Sequence, residues 1–141
     1  MKEKKRSVYI ATKMNSMEHV VRKLRRELEG VGFEIIYDWT EHPVSKPFET
    51  HLAEASKAAE LMAKAVMQCD IFIVIYDEKG IGFHIETGGA LITSIILSQI
   101  TGQEEKKIYV VGGENDKSVF YFHSSVTRVS NVVELMHELR K

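Results

Sequence analysis

Residues 70–76 read DIFIVIY, a nearly continuous apolar run behind a single acid. A strand with one wet face alternates apolar and polar residues, so a run that does not alternate must be covered on both faces. A parallel strand receives that coverage when it lies between two layers of helices. Three more short apolar runs, SVYIAT (7–12), FEIIY (33–37) and KKIYVVG (106–112), are separated by helix-like segments. Strands alternating with helices predict an α/β fold, a three-layer, doubly wound, mostly parallel sheet of the Rossmann or flavodoxin-like kind with about five strands. VFYF (119–122) and VTRV (126–129) are short candidates for edge structure. At 141 residues the chain fits a single domain, 1–141, large enough to bury a core without disulfides or metals.

The segments between strands carry their own start and stop signals. In NSMEHVVRKLRRELEGVG (15–32), Asn15 and Glu18 match a capping box, and Val20, Val21, Leu24 and Leu28 form one apolar stripe. Gly30 and Gly32 end that helix. A long Ala-rich helix is predicted from about Phe48 to Gln68, and a second from roughly Ile85 to Ile100. The last helix, NVVELMHELRK (131–141), is capped by Asn131. DWTEHPVSKP (38–47) is polar, holds both prolines and reads as a loop.

Composition narrows the functions. A net charge of -1 offers no electrostatic case for nucleic acid or for an anionic membrane. The basic start, MKEKKR, is local and reads as a frayed, solvated terminus. The single Cys69 excludes an intramolecular disulfide and a multi-cysteine metal site, and it reads as an inert buried thiol. His42 and His84 are plausible pocket residues, but scattered histidines make no metal site; neither a metal nor a cofactor is expected. No stretch reaches the ~18–20 apolar residues of a membrane span. No signal peptide follows the charged start, so the expected location is cytoplasmic.

In doubly wound folds the ligand lies beyond the carboxyl ends of the strands, where the strand order reverses. With an order beginning 2-1-3, that crevice falls between the first and third strands. It selects Tyr9 to Met14, Asp38 to Pro43 and Asp77 to Gly89. Within the last stretch, DEKGIGFHIETGG, Glu86 has two readings. It is a helix-start acid favoured by the macrodipole, or a reactive carboxylate in the crevice. Gly80, Gly82, Gly88 and Gly89 leave room for a ligand to approach the backbone, although GIG and TGG match no complete phosphate loop.

VYIATKM near the start, CDIFIVIYDEKGIGFHIETGGAL in the middle and VFYFHSSVTRVSNVVELMHEL at the end resemble the nucleoside 2-deoxyribosyltransferase-like superfamily. That group includes deoxyribosyltransferases and nucleotide N-glycosidases. The resemblance covers most of the chain in order and spacing. It implies that Glu86, set before Gly88, is a nucleophile for the anomeric carbon, and that Tyr9 positions it. A carboxylate suits the role because it stabilises an oxocarbenium-like centre and then forms a glycosyl-enzyme ester. The resemblance also implies sites built between subunits, and so a homodimer or larger assembly.

The sequence departs from the family pattern at one important place. The family's general acid, an Asp late in the helix before the third strand, falls eight residues before Asp70, at Met62. Methionine transfers no proton. Glu60 lies two residues away, on roughly the opposite helical face. Asp77, at the end of the third strand, is the better replacement acid. ATKM lacks the Gly often found after the Tyr, so Ala11 lines the site and Lys13 intrudes on it or contacts phosphate. Trp39 either stacks on a base or packs over the sheet edge. GGENDKS (112–118) is a nucleotide-side loop or a turn.

Three functions follow. The first is an enzyme cleaving or transferring at the N-glycosidic bond of a nucleoside or nucleotide, with Glu86, Tyr9 and Asp77 catalytic and Ala11, Lys13, Trp39, Gly80, Gly82 and Gly88 binding substrate. The second is a nucleotide- or nucleoside-binding module of the same fold without efficient turnover, which Met62 favours. The third is an NAD-cleaving relative of the TIR domains, which also pair a Glu with a doubly wound sheet. The expected partner is a small nucleoside or nucleotide, with no nucleic acid and no membrane.

Overall fold

The apolar run becomes the central strand of the sheet. In the computed structural model, which describes residues 4–113 and 118–141, five strands are all parallel. They are β1 (Ser7–Ala11), β2 (Glu34–Ile35), β3 (Ile71–Ile75), β4 (Lys107–Val111) and β5 (Val126–Val129). Their order is β2-β1-β3-β4-β5, so the direction of winding reverses at β1 and β3 as expected. All five residues of β3 are buried, which accounts for its lack of alternation.

Four helices cover the sheet: α1 (Glu18–Gly30), α2 (Leu52–Gln68), α3 (Gly82–Thr101) and α4 (Val132–Leu139). Helix α1 buries Val21, Leu24 and Leu28, three members of the predicted stripe. Only half of its capping box forms. The Glu18 carboxylate accepts the Asn15 amide, while Met17 occupies the cap position without a side-chain bond. At α4 Asn131 caps the helix, its Oδ1 accepting the Glu134 amide, and Glu134 Oε2 reaches one residue past the cap to accept the amide of Ser130.

Several boundaries differ from those read in the sequence. FEIIY pairs with β1 only at Glu34 and Ile35, because the chain then turns away into the 38–47 loop. That loop contains a single 3-10 turn, Trp39–Glu41, and a second such turn (Phe48–Thr50) precedes α2. VFYF forms no strand; it is a 3-10 turn capped by Ser118, which points Tyr121 inward. Helix α3 starts at Gly82, about one turn before the expected Ile85. Residues 1–3 of the basic start and 114–117 of GGENDKS lie outside the described residues. No helix among the described residues is long and apolar enough to cross a membrane.

Candidate active site

The earlier start of α3 changes what Glu86 can be. Counted from the Ile81 cap, it is the fifth helical residue, beyond the amides that a helix start leaves unpaired. A helix-start role therefore does not explain it. Its side chain reaches back over the sheet to β1, where the Tyr9 hydroxyl donates a short hydrogen bond to Glu86 Oε2. Tyr9 is fully buried and stacks on Phe72 of β3, with ring centroids 5.9 Å apart. The sheet thus fixes the phenol, and the phenol fixes the carboxylate.

This pair has unusual acid–base character. The Glu86 residue as a whole is only partly covered, but its carboxyl end, turned inward onto Tyr9, is deeply enclosed. Burial pushes the carboxyl from an ordinary 4.5 up to about 7, and the Tyr9 hydroxyl bond opposes that rise. Burial, and then the Glu86 carboxylate, hold the Tyr9 phenol far above its ordinary range, so it remains a neutral donor. A buried carboxyl poised near neutrality at the carboxyl end of a central strand marks a functional-site candidate.

Other residues shape the crevice. Thr12, just past β1, is buried and donates from Oγ1 to the Ile75 carbonyl at 2.7 Å, tying the ends of β1 and β3 together. Trp39 is 4% exposed and donates its indole N–H to the Ile10 carbonyl at 2.8 Å, so it serves as a buried wall behind β1. Arg25 holds the segment around it through Asp38 and Glu41, each at 2.6 Å. Asp38, its carboxyl held below the ordinary range against burial by Thr40 and Arg25, also accepts the Thr40 amide.

The remaining predicted residues scatter around this core. Ala11 ends β1 and is fully buried, and Lys13 follows it half-buried. Asp77 lies just past β3, where its Oδ1 accepts the Lys79 amide at 2.9 Å and closes a turn. It adds nothing to the shift at Glu86, which burial and Tyr9 account for. Gly80 is required by packing: a Cβ there would sit 2.2 Å from the Phe83 ring. Gly82 opens α3, with space around it. Gly88, two residues after Glu86, lies about 200° round the helix, away from the crevice. Met62 is half-buried against the core, and Glu60 is exposed.

An aromatic cluster borders the site on its β4 side. His84 Nδ1 lies 2.7 Å from the Tyr121 hydroxyl, and the imidazole packs against Phe83 and Tyr76 with centroids at 4.3 and 6.0 Å. Burial lowers the His84 pKa, which favours the neutral ring. On the β2 side, Tyr37 stacks on His42 at 5.3 Å beside a pocket of about 240 Å3 bounded by Lys57 and Leu61. The sequence reading took Tyr37 and Tyr121 only as members of FEIIY and VFYF, because strand-like composition does not show where a phenol is brought in the fold. A larger cavity of about 730 Å3 lies at the amino ends of β1, β3 and β4, around Cys69 and Lys106. It is at the opposite end of the sheet from Glu86, so its size does not make it the site. There the Cys69 thiol, pushed up to about 11 by burial, donates to the Val66 carbonyl, consistent with an inert packing role. No group of three metal-ligating side chains occurs among the described residues.

Among solved structures the same architecture recurs. The chain superimposes on a CMP N-glycosidase of Clostridium botulinum, BcmB, with a TM-score of 0.62, covering 96% of this chain and 100% of that one. The two share a fold. Sequence identity is 19%, so the similarity lies in the architecture. No family model matches the chain, and no curated protein does.

Proposed function

We propose that this chain cleaves or exchanges the N-glycosidic bond of a nucleoside or nucleotide, with Glu86 as the nucleophile. The observation that carries the reading is the buried Tyr9–Glu86 pair, set between the adjacent strands β1 and β3 and helix α3. The ionised carboxylate attacks the anomeric carbon, a sugar–carboxylate ester forms, and the C–N bond breaks with its electron pair leaving on the base. A proton reaches that base as it departs. Water, or a second base, then attacks the same carbon and releases Glu86. Tyr9 orients the attacking oxygen and favours its ionised form. The likeness of fold to a CMP N-glycosidase supports the same chemistry.

Asp77 is the candidate proton donor, with one oxygen already held by the Lys79 amide. The alternative, a binding module without efficient turnover, draws its support from Met62, which presents a thioether where a donor is expected. Loss of general acid catalysis commonly costs ~10²–10⁴-fold. The test is incubation with ribo- and deoxynucleosides and their 5′-monophosphates, with free base followed by chromatography. Wild type is expected to release base and Glu86→Ala to release none. Release that survives Glu86→Ala removes the nucleophile assignment, and no release from any of these compounds favours the binding module.

A further inference from the structure

Tyr9 holds the carboxyl of Glu86 from one side, but the helix that carries Glu86 starts poorly by its own sequence. The cap of α3, Ile81, makes no side-chain hydrogen bond, and the first turn holds no acid. Three of its first eight residues, Gly82, Gly88 and Gly89, are the poorest helix former after proline. A start of this kind frays unless tertiary packing holds it. Glu86 is only the fifth residue, and its enclosure depends on reaching the Tyr9 hydroxyl. The contact that holds the start comes from near the other end of the chain. The 3-10 turn before β5 exposes Val119, Phe120 and Phe122 and buries only Tyr121. The Tyr121 hydroxyl lies 2.7 Å from His84 Nδ1, and its ring meets that imidazole edge-on at 5.7 Å. Thr87, the residue after Glu86, is buried beside the same hydroxyl and favours its ionisation against burial. Tyr76, just past β3, makes edge contacts with both rings at 6.0 Å.

We propose that His84 and Tyr121 are positioning residues for Glu86: their contact pins the first turn of α3, and the pinned turn keeps the Glu86 carboxyl on Tyr9. His84 precedes Glu86 by two residues, about 200° round the helix, so its ring and the carboxyl point to opposite sides. The action runs through the helix backbone. Burial and the Tyr9 bond account for the raised carboxyl, and no charge on His84 contributes to it. A change at Glu86 on losing His84 therefore reports position. The contact holds in either protonation state of the imidazole, since bare Nδ1 accepts from the phenol and a protonated Nδ1 donates to its oxygen. The consequence for chemistry rests on the reading of Glu86 as nucleophile. A frayed start moves the attacking oxygen off the anomeric carbon, and a misplacement of about 1 Å is enough to cost on the order of 100-fold in rate.

The test is the titration of the Glu86 carboxyl in the full chain by carbon NMR of labelled glutamate, with its signal assigned by Glu86→Gln. The wild-type midpoint is expected at about 7. His84→Ala is expected to lower it by about one pH unit or more, toward the ordinary 4.5, because a frayed turn lets water reach the carboxyl. His84→Asn, whose amide reaches the place of Nδ1, is expected to restore most of that shift. Ile96→Ala, exposed further along the same helix, is expected to leave the midpoint at about 7. Should His84→Ala fail to fold by circular dichroism, Tyr121→Phe keeps the ring, loses only the hydroxyl and is expected to shift the midpoint in the same direction. A wild-type carboxyl that already titrates near 4.5 overturns the proposal. So does a midpoint that stays or rises in the folded His84 and Tyr121 variants, an Asn variant no closer to wild type than Ala, or an equal fall in Ile96→Ala. No substrate enters these measurements, so this inference and the proposed activity fail separately.

Discussion

Glu86→Gln separates the stability of the site from its chemistry. A carboxyl that ionises at about 7 in the fold and at an ordinary 4.5 when unfolded binds more protons folded than unfolded between those values. Stability must therefore fall as pH rises through that window. The contribution is fully present below pH 4.5 and is lost above 7. At ~1.4 kcal/mol per tenfold change, the full loss is on the order of 3 kcal/mol, with about 1 kcal/mol already gone at pH 5. Glutamine keeps the shape and an oxygen to accept the Tyr9 hydroxyl, but it never ionises. The variant should therefore gain about 1 kcal/mol over wild type at pH 5 and about 3 kcal/mol at pH 8. In a domain of this size that is a rise in Tm on the order of 9 °C at the higher pH. Thermal unfolding followed by circular dichroism at both pH values measures it. A difference between the two proteins that does not change with pH would refute the account, since it would mean that Glu86 ionises folded as it does unfolded. Greater stability with lost activity is the expected signature of a group kept for function.

Other perturbations probe the neighbours. Tyr9→Phe removes the bond that favours the ionised carboxylate, so the acid limb of the pH–rate profile should move above 7; a limb that stays or moves to lower pH contradicts the positioning role. Met62→Asp places a proton donor where the family pattern expects one and should raise base release at least tenfold, within the ~10²–10⁴-fold range of general acid catalysis. An unchanged rate would show that proton transfer is supplied elsewhere. Trp39→Phe leaves the buried Ile10 carbonyl without its indole partner and should cost about 1–3 kcal/mol in urea unfolding. An unchanged midpoint would count against Trp39 as a structural wall.

The order of the strands was legible because burial writes itself into composition. DIFIVIY could only be a strand covered on both sides, and the alternation of strands and helices then forced parallel pairing and a crevice between β1 and β3. Tyr9 and Glu86 were marked as candidates by that crevice and by the family resemblance, and the structure joins the two in one hydrogen bond. Short-range signals were less faithful. VFYF has the composition of a strand, but Ser118 and the docking of Tyr121 onto His84 make it a 3-10 turn. The Asn15–Glu18 pattern promised a full capping box, and only the Glu18 half forms.

What the sequence by itself determined, then, was the layer plan and the crevice, because both follow from which residues must leave water. The tertiary structure alone decided the state of the site. It moved the start of α3 to Gly82, which put Glu86 beyond the helix's unpaired amides and onto the Tyr9 hydroxyl. Enclosure by β1 and β3 then raised its carboxyl to about 7. Neither the contact nor the shift is encoded in any local stretch, because Tyr9 and Glu86 are 77 residues apart and desolvation depends on everything packed between them.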